Sequence, residues 1–289
     1  MSGAPSLSSS RRCEVAEETL AALDQRSYLT YDISSQLAFT KENTRYYAPD
    51  AELGLWYSAT LYESPQPTKI SLLRISTLEG AKLLANQVSS QVPKPKVGIL
   101  NFASAKNPGG GFLDGSQAQE ESIARSSSLY LSLTTPIAEP YYTNHRRDPK
   151  GGYYSHAMIY SPRVVIIRDD EGAWVEPLEV DIVTSPAVNA GVVRKSSQVT
   201  ADAIEEVMRE RMARIMYLFE RQGIRNVVLG SFGTGAFRND VGMVARIWTD
   251  LLLEDGGRFH GAFENVMFAV LGDETFQRFK EVFSSKGVS

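Results

Sequence analysis

The run Val97–Phe102 constrains this chain more than any other stretch. It reads as a short apolar strand without the in-and-out alternation of a half-exposed one. A strand of that kind needs cover on both faces, as in parallel sheets packed between helices. Immediately downstream stands Asn107-Pro-Gly-Gly-Gly111, and then the adjacent acids Glu120 and Glu121. A glycine triplet lets backbone N–H groups come close to a ligand, because no Cβ intervenes. Adjacent acids at the end of such a loop can set one carboxylate against a substrate while the other fixes the geometry. Residues 107–121 are therefore the candidate active-site stretch.

The rest of the chain repeats the alternation. Strands are expected at 70–75, 158–160, 164–167, 180–184, 227–229 and 266–271. Helices are expected at 11–25, from Thr77 to about 88, at 119–131 and at 200–222, where Ile204, Met208, Met212, Ile215 and Phe219 mark the buried face. Gly223 ends that helix. Asp240 caps another, with Val244, Ile247, Trp248 and Leu251 on one stripe. A last helix begins at Asp273 and turns Phe276, Phe279 and Phe283 inward. Residues 26–66 are irregular, punctuated by Pro49 and Pro65. Trp56 and Tyr57 there are expected to anchor on something larger. Residues 134–153 read as a loop. Residues 1–66 have too few periodic apolar positions to bury a core of their own. They form an N-terminal accessory segment packed on a catalytic domain, 67–289. The fold class is α/β.

A second glycine-rich loop, Gly230-Ser-Phe-Gly-Thr-Gly-Ala-Phe237, also follows an apolar strand and precedes a helix. Ligands of such sheets sit at the carboxyl ends of strands. The two loops thus share one sheet edge and make a cleft suited to a phosphate-bearing ligand. The second loop lacks the Gly-Lys-Ser/Thr ending of a P-loop and the glycine spacing of a dinucleotide fingerprint. There is no Gly-x-Ser-x-Gly elbow for a serine hydrolase. Phe237 stacks on a sugar or base, or is a core aromatic. Asn189, just past a strand end, contacts ligand or only makes a turn.

The 30 basic and 34 acidic residues give a net charge of -4, which argues against sequence-specific nucleic-acid binding. A single cysteine, Cys13, excludes an internal disulfide framework and a cysteine-rich zinc site. His145, His156 and His260 show no metal-ligand spacing, so neither a metal nor a cofactor is expected. The first ten residues lack the apolar core of a secretory signal. No apolar run reaches the roughly 18–20 residues of a membrane span. The expected localisation is intracellular, cytoplasmic or nuclear, with no membrane partner.

Gly109-Gly-Gly111 followed by Gln119-Glu-Glu121 resembles the signature of poly(ADP-ribose) glycohydrolases. The surrounding words are similar to the bacterial, microbial-type branch of that family. They include 100–112, 117–130, His145-Arg-Arg147, Met158-Ile-Tyr-Ser-Pro162, Thr184-Ser-Pro-Ala-Val-Asn-Ala-Gly191 and Gly235-Ala-Phe-Arg-Asn-Asp240. The resemblance spans nearly the whole chain from Arg11 to Leu271. It implies a macrodomain: a three-layer α/β/α fold with a mixed, mostly parallel sheet and an N-terminal helical extension. It implies hydrolysis of ribose–ribose O-glycosidic bonds in poly(ADP-ribose), from the chain terminus and without metal, releasing ADP-ribose. Poly(ADP-ribose) or ADP-ribose would be the ligand, ADP-ribosylated proteins the substrates, and reversal of ADP-ribosylation in the DNA damage response the setting.

Carried over, Glu121 is the catalytic acid and Glu120 orients the neighbouring ribose, with Gln119 supporting both. Asn107 meets the terminal ribose, and Gly109, Gly110 and Gly111 let the backbone approach it. Ser231, Phe232, Gly233, Thr234, Gly235 and Ala236 form the diphosphate loop, and Phe237 packs on the ribose beside the scissile bond. Phe232 and Thr234 replace the Trp and Cys more common in the family, which should alter loop rigidity and affinity rather than chemistry. Hydrolysis of another ADP-ribosyl linkage, or ADP-ribose binding without cleavage, are the alternatives. The intact Gln119-Glu-Glu121 speaks against a mere binder.

Overall fold

The computed structural model describes residues 7–60, 67–147, 151–195, 200–254 and 257–288. Pro65, Asp148 and residues 1–6 fall outside them. Strands run β1 (Ser27–Tyr28), β2 (Tyr31–Asp32), β3 (Arg45–Tyr47), β4 (Lys69–Leu73), β5 (Val97–Phe102), β6 (Met158–Arg168), β7 (Trp174–Ser185), β8 (Asn226–Leu229) and β9 (Asn265–Ala269). Helices are α1 (Ser9–Gln25), α2 (Ser34–Asn43), α3 (Thr77–Gln87), α4 (Gln119–Ser126), α5 (Leu129–Leu133), α6 (Glu139–Arg147), α7 (Ala190–Val193), α8 (Ala201–Arg221), α9 (Val241–Leu253) and α10 (Asp273–Ser285).

Seven strands form one sheet in the order β3-β6-β7-β5-β8-β9-β4. Strands β7, β5, β8, β9 and β4 pair in parallel, while β6 runs antiparallel to both β7 and β3. The apolar strands are covered on both faces, and the two-residue period of the strand decides which layer each side chain joins. Leu100, Val183, Val227, Val266 and Phe268 pack with α8, α9 and α10, around the fully buried Trp248. Ile99, Ile182, Val228 and Met267 pack on the other face with α3, α4, α5 and α6. The result is the three-layer α/β/α sandwich expected. Each such fully buried aliphatic side chain contributes about 1.5–3 kcal/mol.

Helices start where their capping residues stand. Ser76 accepts from the N–H of Glu79, Thr200 from Ala203 and Asp240 from Met243. These contacts satisfy N–H groups that the first helical turn leaves unpaired.

Several elements depart from the sequence reading. The expected strands 158–160 and 164–167 are one strand, β6, whose register shifts between Ser161 and Val164. The shift carries Pro162, which has no N–H to give a regular ladder. Residues 134–153 contain α6, with Pro140 in its first turn, where a missing N–H costs nothing. The 119–131 helix breaks at Ser127 and Ser128. The Ser127 hydroxyl accepts from Leu129 N–H at 3.2 Å, and Ser128 Oγ accepts from Val165 N–H at 2.9 Å. Residues 26–66 hold α2 and the edge strand β3. Trp56 is the anchor expected, stacked on Phe259 and donating to Glu210, whereas Tyr57 is 68% exposed.

The N-terminal helix α1 is fastened to the sheet and to α4. Thr19 Oγ1 donates to Arg125 O at 2.8 Å, inside the protein. Arg168, on β6 and buried, donates to Thr19 Oγ1 and Glu18 and lies flat on Trp174, 3.4 Å from the ring centre. No described helix is long and apolar enough to cross a membrane.

Candidate active site

The carboxyl ends of β5 and β8 open into a cleft of about 1090 Å³. Its walls include Asn107, Gly110, Gly111, Gln119, Glu120 and Glu121 from the first loop and α4. Ser231, Gly233, Thr234, Gly235, Ala236 and Phe237 enter from the second loop. The two loops therefore meet across one cavity, as their positions after apolar strands require.

Glutamine 119 belongs to the frame of this site. Its amide donates to Leu100 O at 2.7 Å and accepts from Phe102 N–H at 2.8 Å. It also donates to Thr77 Oγ1 at 3.2 Å. The side chain thus pins the first turn of α4 to the end of β5, and its hydrogen-bonding capacity is spent on the fold. That fixes the rotation of α4 and the aim of the two acids that follow.

Glu120 is 2% exposed. Its Oε2 accepts from Ser104 N–H at 2.6 Å and its Oε1 from Asn101 Nδ2 at 3.2 Å. Burial pushes its carboxyl up to about 8, helped by the charge of Glu121 and opposed by the Ser104 and Asn101 donors. Glu120 is therefore held largely neutral at pH 7. Glu121 is half-buried, and its Oε1 accepts from Gly111 N–H at 3.1 Å.

Gly110 explains why glycine is needed here. Its φ is +60°, and an added Cβ would lie 2.2 Å from Glu121 Oε1 and 3.2 Å from Glu120 Oε2. Any side chain there would displace the acids. Gly109 is buried and turns the loop with φ +69°, but does not line the cleft.

In the second loop Gly233, φ +74°, faces Ala187, whose Cβ would stand 2.3 Å from an added one. Buried Asn239 staples the loop, donating to Val188 O at 2.7 Å and Gly233 O at 2.9 Å. The backbone of Gly235 has no protein atom within 4 Å of where a Cβ would be. Phe237 lies on the cleft wall with its ring 5.9 Å from that of Tyr154. Phe232 is fully buried against Phe102, so its side chain points into the core and away from the cavity. Asn189 caps α7, accepting from Val192 N–H at 3.2 Å, and is not on the wall. Its helix instead braces the second loop, through Gly191 N–H to Phe237 O at 3.1 Å.

Three contributors escaped the sequence reading. Asn101 sits inside the run read as apolar, yet its amide reaches both Glu120 and Thr184. Ser104 supplies the short N–H contact to Glu120. Arg12, from α1, lines the cleft together with Arg125 and Gln117. The adjacency of Asn101 to a strand end was the available signal for the first. Nothing in the sequence marks a helix-surface arginine for the last. His145 is buried and does not line the cleft. Its Nε2 accepts from Ser155 N–H at 3.1 Å, and burial lowers it to about 4, so it stays neutral. Among the described residues, no group of three or more His, Cys, Asp or Glu could hold a metal ion.

Residues 16–169 match the family model described as microbial-type PARG, catalytic domain. Poly(ADP-ribose) glycohydrolase from Thermomonospora curvata is 35% identical over 96% of this chain and 99% of its own, with a TM-score of 0.86. The same protein bound to the inhibitor ADP-HPD matches at 35% identity over 94% and 98%, TM-score 0.84. The Deinococcus radiodurans enzyme in complex with ADP-ribose is 38% identical over 86% of this chain and 97% of its own, TM-score 0.77. No curated protein matches. With the signature glycines seated on paired acids inside this fold, the chain belongs to the microbial-type poly(ADP-ribose) glycohydrolase family.

Proposed function

We propose that the protein hydrolyses the ribose–ribose O-glycosidic bond of poly(ADP-ribose) from the chain terminus, releasing ADP-ribose. The observation that carries this is Gly110, whose missing Cβ seats Glu120 and Glu121 together at the cleft. Glycoside cleavage needs a carboxyl group placed at the bond that breaks.

Glu121 protonates the 2′-oxygen of the leaving ribose as the bond from that oxygen to the anomeric carbon breaks. Positive charge then develops on the anomeric carbon. The resulting Glu121 carboxylate takes a proton from water, whose oxygen bonds to that carbon. The Gly111 N–H holds one Glu121 oxygen in place and leaves the other for the substrate. Glu120 is largely neutral and stays out of the proton transfer. It hydrogen-bonds the ribose hydroxyls and so orients the scissile bond. Asn101, Ser104 and Gln119 position these acids. The 231–236 loop takes the diphosphate, whose charge stabilises the cation, and Phe237 packs on the ribose.

The same reading treats residues 1–66 as an extension of a catalytic domain at 67–289. It makes ADP-ribosylated proteins the intracellular substrates, within the reversal of ADP-ribosylation that follows DNA damage. The test is product analysis with poly(ADP-ribose) and with a mono-ADP-ribosylated protein in parallel. Free ADP-ribose is expected from the polymer. Binding of ADP-ribose with no release from the polymer would overturn the proposal, and release from the mono-modified protein alone would move it to a different linkage.

A further inference from the structure

The cleft is large for a site that takes one small ligand. Its volume of about 1090 Å³ exceeds the roughly 300–1,000 Å³ of ordinary small-molecule pockets. One end of its wall is built where α1 meets the segment leading into α4. Arg12, Gln117 and Arg125 line that end. Arg125 stands one turn after Glu121 on α4 and is 5% exposed.

The known partners of these two arginines are neutral. Arg12 Nε donates to Gly115 O at 2.6 Å, and its Nη1 donates to Gln117 Oε1 at 2.8 Å and to Leu7 O. Arg125 Nη1 donates to Ser116 O at 3.2 Å. Neither forms an ion pair with a carboxylate among the described residues. Among the described residues, the other buried arginines are paired with carboxylates or serve the core. Arg168 and Arg258 have carboxylates at 2.7 Å, and Arg211 ties three carbonyls together inside the fold. Asp170, at the same end, is tied to Ser76 and to Ser122 Oγ.

Arg12 is near enough to Arg125 to repel it, and among the described residues no carboxylate makes a direct ion pair with either, an arrangement that a bound anion would complete. Burial and the repulsion of Arg12 both press the Arg125 guanidinium down, while Glu121 and Asp170 hold it up. An arriving dianion would relieve that repulsion with charge-assisted hydrogen bonds.

We propose that Arg12 and Arg125 form a second phosphate subsite, beyond Glu121, for the diphosphate of the polymer unit that carries the leaving hydroxyl. This rests on the poly(ADP-ribose) reading above and extends it to the neighbouring unit. In cleavage from the terminus, the last unit occupies the cleft between the two loops, and the polymer continues past the acid that protonates its 2′-oxygen. A cationic end on the Glu121 side is where the next diphosphate passes. The extension therefore contributes specificity for polymer over single ADP-ribosyl groups, through one residue of α1.

The experiment compares wild type, Arg12→Gln and Gln117→Glu on two substrates. One is poly(ADP-ribose). The other is a 1″-O-aryl ADP-ribose, whose leaving phenol bears no phosphate. Gln117 is exposed, so Gln117→Glu leaves the fold alone and gives Arg12 a carboxylate partner in place. Both variants are expected to raise KM for the polymer about tenfold, the size of one partly exposed charge-assisted contact. Their kcat, and kcat/KM on the aryl glycoside, should stay within about twofold. The dependence of polymer KM on salt should also flatten, because fewer counterions are displaced. Equal losses on both substrates would show that Arg12 only holds residues 115–117, and would overturn the proposal. So would an unchanged polymer KM. A wild type that cleaves the aryl glycoside but frees nothing from the polymer would instead sink the polymer reading itself.

Discussion

The two glycine-rich loops look alike as sequence and enclose opposite things. At Gly110 the space of a missing side chain is filled by the protein's own acids, with Glu121 Oε1 2.2 Å from a hypothetical Cβ. At Gly235 the same space holds no protein atom within 4 Å. In the proposed mechanism one loop is shaped by the residues that react, and the other leaves room for what they react with. The difference also divides the ligand. A diphosphate is poorly placed beside two carboxyl groups, whereas the 231–237 loop has no acid in it. In the proposed mechanism the phosphate therefore goes to the second loop, and the glycosidic carbon to the first. A glycine triplet next to paired acids is thus a seat for carboxylates before it is a cradle for anions.

Removing the proton carrier should separate the two loops most sharply. Glu121→Gln keeps the shape and loses the acid, so polymer turnover should fall about 10³-fold, within the range for general-acid groups. ADP-ribose affinity, measured by calorimetry, should change less than about threefold. Retained turnover would move the proton to Glu120. Next in size is Gly110→Ala. The new methyl must push Glu121 aside, and alanine at positive φ costs about 1–2 kcal/mol. Turnover should drop about 100-fold with a lower Tm, since small misplacements at the reacting bond are costly. Wild-type kinetics in this variant would show that the acids are not seated by the glycine.

Glu120 tests the first loop through stability. Its carboxyl is raised from 4.5 to about 8. Between those values the unfolded chain has lost the proton and the folded one keeps it. The contribution of Glu120 to stability must therefore fall as pH rises from about 4.5 to 8, and level off above that, by an upper bound of roughly 5 kcal/mol. Glu120→Gln should remove this slope and raise Tm at pH 8, while abolishing efficient turnover. Urea unfolding at pH 5 and pH 8 gives both slopes. His145, lowered to about 4, adds an opposite slope between about 4 and 6.5 that wild type and variant share, so a pH slope left unchanged in Glu120→Gln would show that Glu120 is not buried as a neutral acid.

Much of the frame was legible because it is periodic. Val97–Phe102 and the Asp240-capped helix α9 stand where apolar spacing and a capping side chain put them. The site was legible in part, because glycine and paired acids are rare enough in combination to be read. What could not be read depends on contacts between distant residues. Asn101 in β5 is recognisable as part of the candidate site only once α4 brings Glu120 to it, 19 residues on. Phe232 stands among cleft residues yet packs on Phe102, since a loop's alternation is set by the tertiary turn and not by a period. Helix α2 buries only Leu37 and Thr40, too little to give a helical stripe. Helix α6 hides behind Pro140, which breaks a helix only past its first turn.

The gentlest substitution sharpens the comparison from the ligand's side. Gly235 has no left-handed backbone angle and no neighbour that a Cβ would meet. Gly235→Ala should therefore fold as the wild type does, with stability changed by less than about 0.5 kcal/mol. If the diphosphate lies against this backbone, the added methyl occupies its approach. ADP-ribose affinity should then weaken about five- to tenfold, the effect of one lengthened charge-assisted hydrogen bond. The same methyl leaves Glu121 where it is, so hydrolysis at saturating substrate should be nearly unchanged. A loss of turnover without a loss of affinity would mean that the second loop acts on the reacting carbon and not on the phosphates, and the division between the loops would fail. Unchanged affinity would place the diphosphate elsewhere on the cleft wall.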